Sequence, residues 1–191
     1  MKTILAFLLM SLSVAWAGPI TLTVDVNTDK KEKEVKQGYP SNHKSKKGGM
    51  QELVTTDPRS LEISLGNTTT GEFPNLKVVY YLFAKDVNEK TVVLAKKGDK
   101  TVAVASLGKG RFTSETVVMT QHSAFSKTVD GKTETTPAAG FKFAGYGVQV
   151  LSGNQLLAET FDPPELKASI GLPETSTDSY EAKTPAKKKA N

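Results

Sequence analysis

Leu76-Lys77-Val78-Val79-Tyr80-Tyr81-Leu82-Phe83-Ala84 is apolar at six consecutive positions, Val78 to Phe83, between Lys77 and Ala84. Successive side chains of a strand point to opposite faces. Tyr80 and Leu82 then share one face, and Tyr81 and Phe83 the other. A strand apolar on both faces is either central with both faces covered, or it turns an aromatic face outward. The covered form predicts a second packed layer. The open form predicts a patch that meets a partner or stacks on a sugar ring.

Period-two alternation continues on either side of this run. Ile20-Thr21-Leu22-Thr23-Val24-Asp25-Val26 alternates cleanly, and Leu61-Glu62-Ile63-Ser64-Leu65 repeats the pattern after the turn signal Asp57-Pro58. Thr91 to Ala95 follows a turn around Asn88-Glu89. Lys97-Gly98-Asp99 predicts a hairpin onto Thr101 to Ala105. Gly108-Lys109-Gly110 reads as another turn, Phe112 to Met119 as a β-branched strand, and Val129-Asp130-Gly131-Lys132 as part of a long polar connection. Phe141 to Leu151 is a strand pattern broken by Gly145 and Gly147. Ser152-Gly153-Asn154 turns it into Gln155 to Phe161, which Asp162-Pro163-Pro164 ends, because proline donates nothing to a ladder. Helical periodicity is absent. About 7–9 short strands with close turns predict an all-β antiparallel sandwich over residues 52–172.

This hairpin-rich order, ending in two adjacent long strands, resembles bacterial immunoglobulin-like and fibronectin-type-III-like domains over residues 58–168. The resemblance implies an immunoglobulin-like sandwich, with Tyr146 in the part of the tyrosine-corner residue. The Cys–Trp–Cys pin of antibody domains is missing: there is no cysteine, and Trp16 stands in the N-terminal segment. The whole chain also resembles small exported immunoglobulin-like proteins encoded among pilus-type surface genes of gut bacteria. That resemblance implies a surface-structure or host-contact role.

The first 17 residues read as a secretory signal. Lys2 is the positive start, Ile4 to Leu12 the apolar stretch, and Ala15-Trp16-Ala17 the small-x-small cleavage pattern before Gly18. A mature chain of about 174 residues follows, with no cysteine at the cleavage point for a lipid anchor and no second apolar run to span a membrane. Export without disulfides points to a bacterial periplasm, outer surface or medium, since eukaryotic extracellular modules commonly carry them. A domain near 150 residues still buries about 70% of its unfolded surface and holds itself by its core.

The net charge of +5 is unevenly placed. Losing Lys2 leaves +4, residues 30–47 carry +5 and residues 183–191 carry +4, so the remaining body stands at −5. Residues 18–28 read as an N-terminal strand, 29–51 as a flexible lysine-rich segment, and 173–191 as a disordered lysine-rich tail, because such compositions bury too little apolar surface to offset chain entropy. Lys30, Lys31, Lys33, Lys46 and Lys47 are the candidate contacts for an acidic partner. Nucleic acid fits poorly. Arg59 and Arg111 are the sole arginines, and the lysine runs hold few aromatics on which bases could stack.

No catalytic constellation is legible. His122 and Ser123 are sequence neighbours, which point apart on a strand, and the chain has no Gly-x-Ser-x-Gly elbow. Asp25-x-Asn27-x-Asp29 opens like a calcium loop, but Lys30 stands where glycine is needed and Lys36 where the bidentate glutamate belongs. No metal or cofactor is expected. Glu62, Glu115 and Glu159 read as outward strand residues; a cleft pairing two acids would instead mark a hydrolase. The reading is an exported, non-enzymatic binding or structural protein of the cell envelope, adhesive or pilus-associated. Its partner is a protein or a surface glycan, and the candidate binding residues are Tyr80, Tyr81, Phe83 and Tyr146 together with the five lysines. A carbohydrate-binding module and a polyanion binder stay open, as does self-association through an edge strand.

Overall fold

The computed structural model describes residues 18–29, 31–36, 51–129 and 132–178. Residues 1–17, read from the sequence as a signal, together with Lys30, Lys46, Lys47 and the lysines from Lys183 onward, lie outside the described residues. The described chain is almost entirely β: eleven strands and one short 3-10 helix, Pro164–Ser169. The strands are β1 Ile20–Thr28, β2 Lys31–Lys36, β3 Gln51–Asn67, β4 Phe73–Asp86, β5 Val92–Val104, β6 Lys109–Thr113, β7 Val117–His122, β8 Phe125–Val129, β9 Lys132–Thr136, β10 Ala139–Ser152 and β11 Gln155–Asp162.

Nine of them form one antiparallel sheet in the order β1-β3-β7-β10-β4-β5, with β11 on β10 and with β2 and β6 on β3. The sheet is sandwich-like because β10 belongs to two halves. Ala139 and Gly140 pair with β7, and from Phe141 onward the same strand pairs with β4. The main core lies between the halves. Leu61, Ile63 and Leu65 of β3 meet Val78, Tyr80 and Leu82 of β4 there. This is where the alternation of β3 is spent.

β4 is central, flanked by β10 and β5, and covered on both faces. Its second face carries Val79, Tyr81 and Phe83 in a separate cluster, closed by Leu166 of the 3-10 helix with Phe161 and Ile170 against it. Burying a side chain of this size contributes about 1.5–3 kcal/mol. That gain explains why the 3-10 helix folds back over β4 instead of running into solvent.

Several local expectations give way to longer or differently divided elements. β5 runs unbroken through Lys97-Gly98-Asp99, so no hairpin forms there. Glycine suits this strand position because the Tyr80 ring lies across it; a Cβ here would run into the ring and its hydroxyl. The strand expected over Phe112 to Met119 is split into β6 and β7, and the residues beside Asp130 and Gly131 form the separate hairpin β8–β9. Lys31–Lys36, expected within a flexible segment, pairs with Gln51–Thr56 as β2. β1 and β2 keep one register against β3, Thr28 opposite Arg59 and Lys31 opposite Thr56, so their break faces Asp57-Pro58. Proline has no N–H for the ladder.

Candidate functional site

The aromatic strand offers no open platform. Tyr80, Tyr81 and Phe83 are 4%, 5% and 0% exposed. Of the two forms the sequence allows for this strand, the structure has the covered one: the candidate contacts Tyr80, Tyr81 and Phe83 are buried, and a second layer closes over the aromatic face. Tyr81 stacks on Phe83 and on Phe161, each at 6.3 Å between ring centroids, and the Lys97 ammonium stands 5.7 Å above the Tyr81 ring. The Tyr81 hydroxyl donates to Gln149 Oε1, whose amide donates to Glu159, which Lys167 also grips. Burial pushes the Tyr81 hydroxyl above its ordinary pKa. The Lys167 hydrogen bond holds Glu159 below the usual carboxylate range, against the opposing effect of burial.

Tyr146 is half-buried and packs against the main core. Its hydroxyl is pushed up by burial first, then by the carboxylates of Asp162 and Asp25. Lys31 is exposed and pairs with Asp29 at 2.9 Å, and Lys33 follows in β2 opposite Val54. These sites are separate: the rings belong to the packing of β4 and β10, the two described lysines to the ribbon β2–β3.

Ser123 is tied to β3 through both its side chain and its main chain. The Ser123 hydroxyl accepts the Leu53 N–H at 2.9 Å, and the Ser123 N–H donates to the Leu53 carbonyl at 2.9 Å. Ser123 therefore extends the β3–β7 ladder by one step with its side chain.

An open concavity lies elsewhere among the described residues, between β5 and β7. It is a crease of about 400 Å³, lined by Lys96 and Val118 and walled by residues 174–178. This segment was expected to belong to a disordered tail. It is instead an extended chain bonded to both halves of the sheet. Leu94 and Glu174 form a parallel bridge, and the Thr175 N–H donates to the Leu94 carbonyl at 2.8 Å. The Lys97 N–H donates to Glu174 Oε1 at 3.2 Å. On the other side the Thr120 N–H donates to the Thr177 carbonyl at 3.1 Å, the Thr177 hydroxyl donates to the Val118 carbonyl at 2.9 Å, and the Thr120 hydroxyl donates to the Asp178 carbonyl at 3.1 Å. Thr177 is 2% exposed although its neighbours Ser176 and Asp178 are open to solvent.

Lys96 closes the charge balance of the crease. Its ammonium lies 3.1 Å from Glu115, and its pKa is raised by that hydrogen bond and charge and then by Glu174. Chemically the crease does one thing well: it presents strand-edge carbonyls and amides, with one lysine, to an extended chain that ends in acidic and hydroxyl groups. Sequence reasoning missed it. The available signal was the spacing Thr175-x-Thr177 after Pro173, two β-branched residues in strand alternation inside a polar tail.

No protein-family model and no curated protein matches this chain. Among solved structures, a crystal structure from Akkermansia muciniphila is similar at 13% identity and a TM-score of 0.27, covering 81% of this chain and 78% of that one. A target of the Northeast Structural Genomics Consortium is similar at 13% identity and a TM-score of 0.24, covering 71% of this chain and 84% of its own. Likeness at these scores carries no argument about function. No helix among the described residues is long and apolar enough to cross a membrane.

Proposed function

We propose that this chain is an exported, non-enzymatic binding or structural protein of the bacterial cell envelope or surface. In this reading it holds a protein partner through extended chain at the β5–β7 crease. The observation that carries it is the docked segment 174–178, bonded by main chain to both halves of the sheet. Main-chain bonding of an added strand supplies affinity, and the pockets for alternate side chains supply selectivity. Export is supported by the order of charge, apolar run and small residues in the first 17 positions. The immunoglobulin-like subtype is supported by a β-sandwich-like packing in which β10 serves both halves. A protein partner is favoured over a sugar because the rings that would stack on one are packed inside.

The test is a photo-crosslinking residue at Val118, on the crease wall, in the bacterium that makes the protein. The expected result is a covalent adduct to an envelope protein, recovered outside the cytoplasmic fraction. A protein retained in the cytoplasm, or one exported without any adduct, would overturn the reading.

A further inference from the structure

We propose that residues 174–178 exchange between two copies of this chain, each copy's segment taking the place of the other's as the wall of the β5–β7 crease. The inference rests on the reading that the crease holds extended chain. The donor segment and its acceptor are both present on every copy, so a two-fold pairing satisfies each crease with sequence already fitted to it. The bonds that hold the segment come from main chain and hydroxyls at Leu94, Lys97, Val118 and Thr120. None of them depends on the segment being tethered to the same molecule.

The tether is suited to release. Gly171, Leu172 and Pro173 are exposed, and a Cβ at Gly171 would meet nothing within 4 Å. A main-chain bond runs from the Leu172 N–H to the Ser169 carbonyl at 3.2 Å. Leu172 and Val118, 39% and 36% exposed, are two of the four large apolar side chains open to solvent among the described residues. One stands on the tether and one on the crease wall. A short tether gives the home segment an effective concentration of about millimolar. Exchange therefore prevails where copies are crowded to that level, or where the tether is too short to reach home.

The chain has no cysteine, so introduced pairs read out cleanly. Val118→Cys and Ser176→Cys are made in separate full-length copies, mixed and oxidised, with Asn154→Cys in place of Ser176→Cys as the control at the distant β10–β11 turn. At millimolar protein the expected yield of Val118–Ser176 heterodimer is about tenfold above the control, and deleting Gly171 and Leu172 brings the same yield at about a tenth of that concentration. Yields equal to the control in both the parent chain at millimolar concentration and the shortened chain would overturn the exchange. Placing both cysteines in one parent chain separates the two levels. If that chain closes on itself while mixed copies do not cross-link, exchange alone falls. If it does not close, the crease reading falls with it.

Discussion

Ser114 satisfies both main-chain groups of Leu61. The Ser114 N–H donates to the Leu61 carbonyl at 2.8 Å, and the Leu61 N–H donates to Ser114 Oγ at 2.8 Å. The reason lies in the register. β6 pairs Thr113 with Glu62, while β7 pairs Val117 with Arg59, so the ladder on this edge of β3 slips where one strand hands over to the next. Ser114 bridges the slip, and it is buried. Ser123 does the same for Leu53 at the far end of β7.

Ser114→Ala is expected to strand a buried N–H at Leu61 and to cost about 1–3 kcal/mol. Urea unfolding measures it. The matching Ser123→Ala, at a less buried position, is expected to cost less. Equal costs would show that burial does not set the penalty.

Gly98→Ala places a methyl group where the Tyr80 ring lies. The expected loss is about 1–3 kcal/mol of overpacking. Tyr80→Leu in the same chain removes the obstacle, so the pair is expected to lose less than the sum of the singles. Denaturant midpoints of the four members of the cycle decide it; additive losses would contradict the contact.

Asn67 joins two loops. Its amide donates to the carbonyls of Gly71 at 2.6 Å and Ala105 at 2.9 Å, and its oxygen accepts both the N–H and the hydroxyl of Thr69 at 2.9 Å. Asn67→Ala is expected to cost about 1–3 kcal/mol, since the groups left behind are partly buried. Faster amide exchange at Thr69 and at Leu107, whose N–H bonds the Thr69 carbonyl, reads out the loosening locally. The pattern Asn67-Thr68-Thr69 matches a glycosylation acceptor, yet this amide is committed and buried.

Glu159 links stability to acid. Its folded pKa is lowered, chiefly by the Lys167 hydrogen bond. A lowered carboxyl pKa stabilises the fold above the unfolded value of about 4.3, and that contribution fades as pH falls through the folded value. Urea midpoints between neutral pH and strong acid are expected to fall below about pH 4.3. Lys167→Ala is expected to flatten that part of the profile by returning Glu159 toward its ordinary range. An unchanged profile would remove Glu159 from the linkage.

The strand character of Val78 to Phe83, and which of its residues share a face, was legible in the chain. So was the turn at Gly153 between the last two strands. Both depend on neighbours within a few residues. The unbroken run of β5 through Gly98 was not legible, because it rests on pairing with β4, where Tyr80, eighteen positions away in sequence, stands opposite Gly98 and occupies the space a Cβ would need. The docked segment 174–178 was missed for the same kind of reason. Its own composition is that of a solvated tail, and its order comes from carbonyls and amides of β5 and β7.

Two-sided hydrophobic alternation, turn residues and the absence of helical periodicity settle an all-β chain, because a pleated strand sorts its side chains by parity alone. Folding in three dimensions settled the rest. Whether the aromatic face of β4 met solvent or a second layer depended on Leu166 and Phe161 arriving over it. Whether Ser114 and Ser123 were surface hydroxyls or ladder rungs depended on where β3 ran past them. Those outcomes turn on long-range contacts, and a local pattern contains no term for which distant backbone group a side chain will meet.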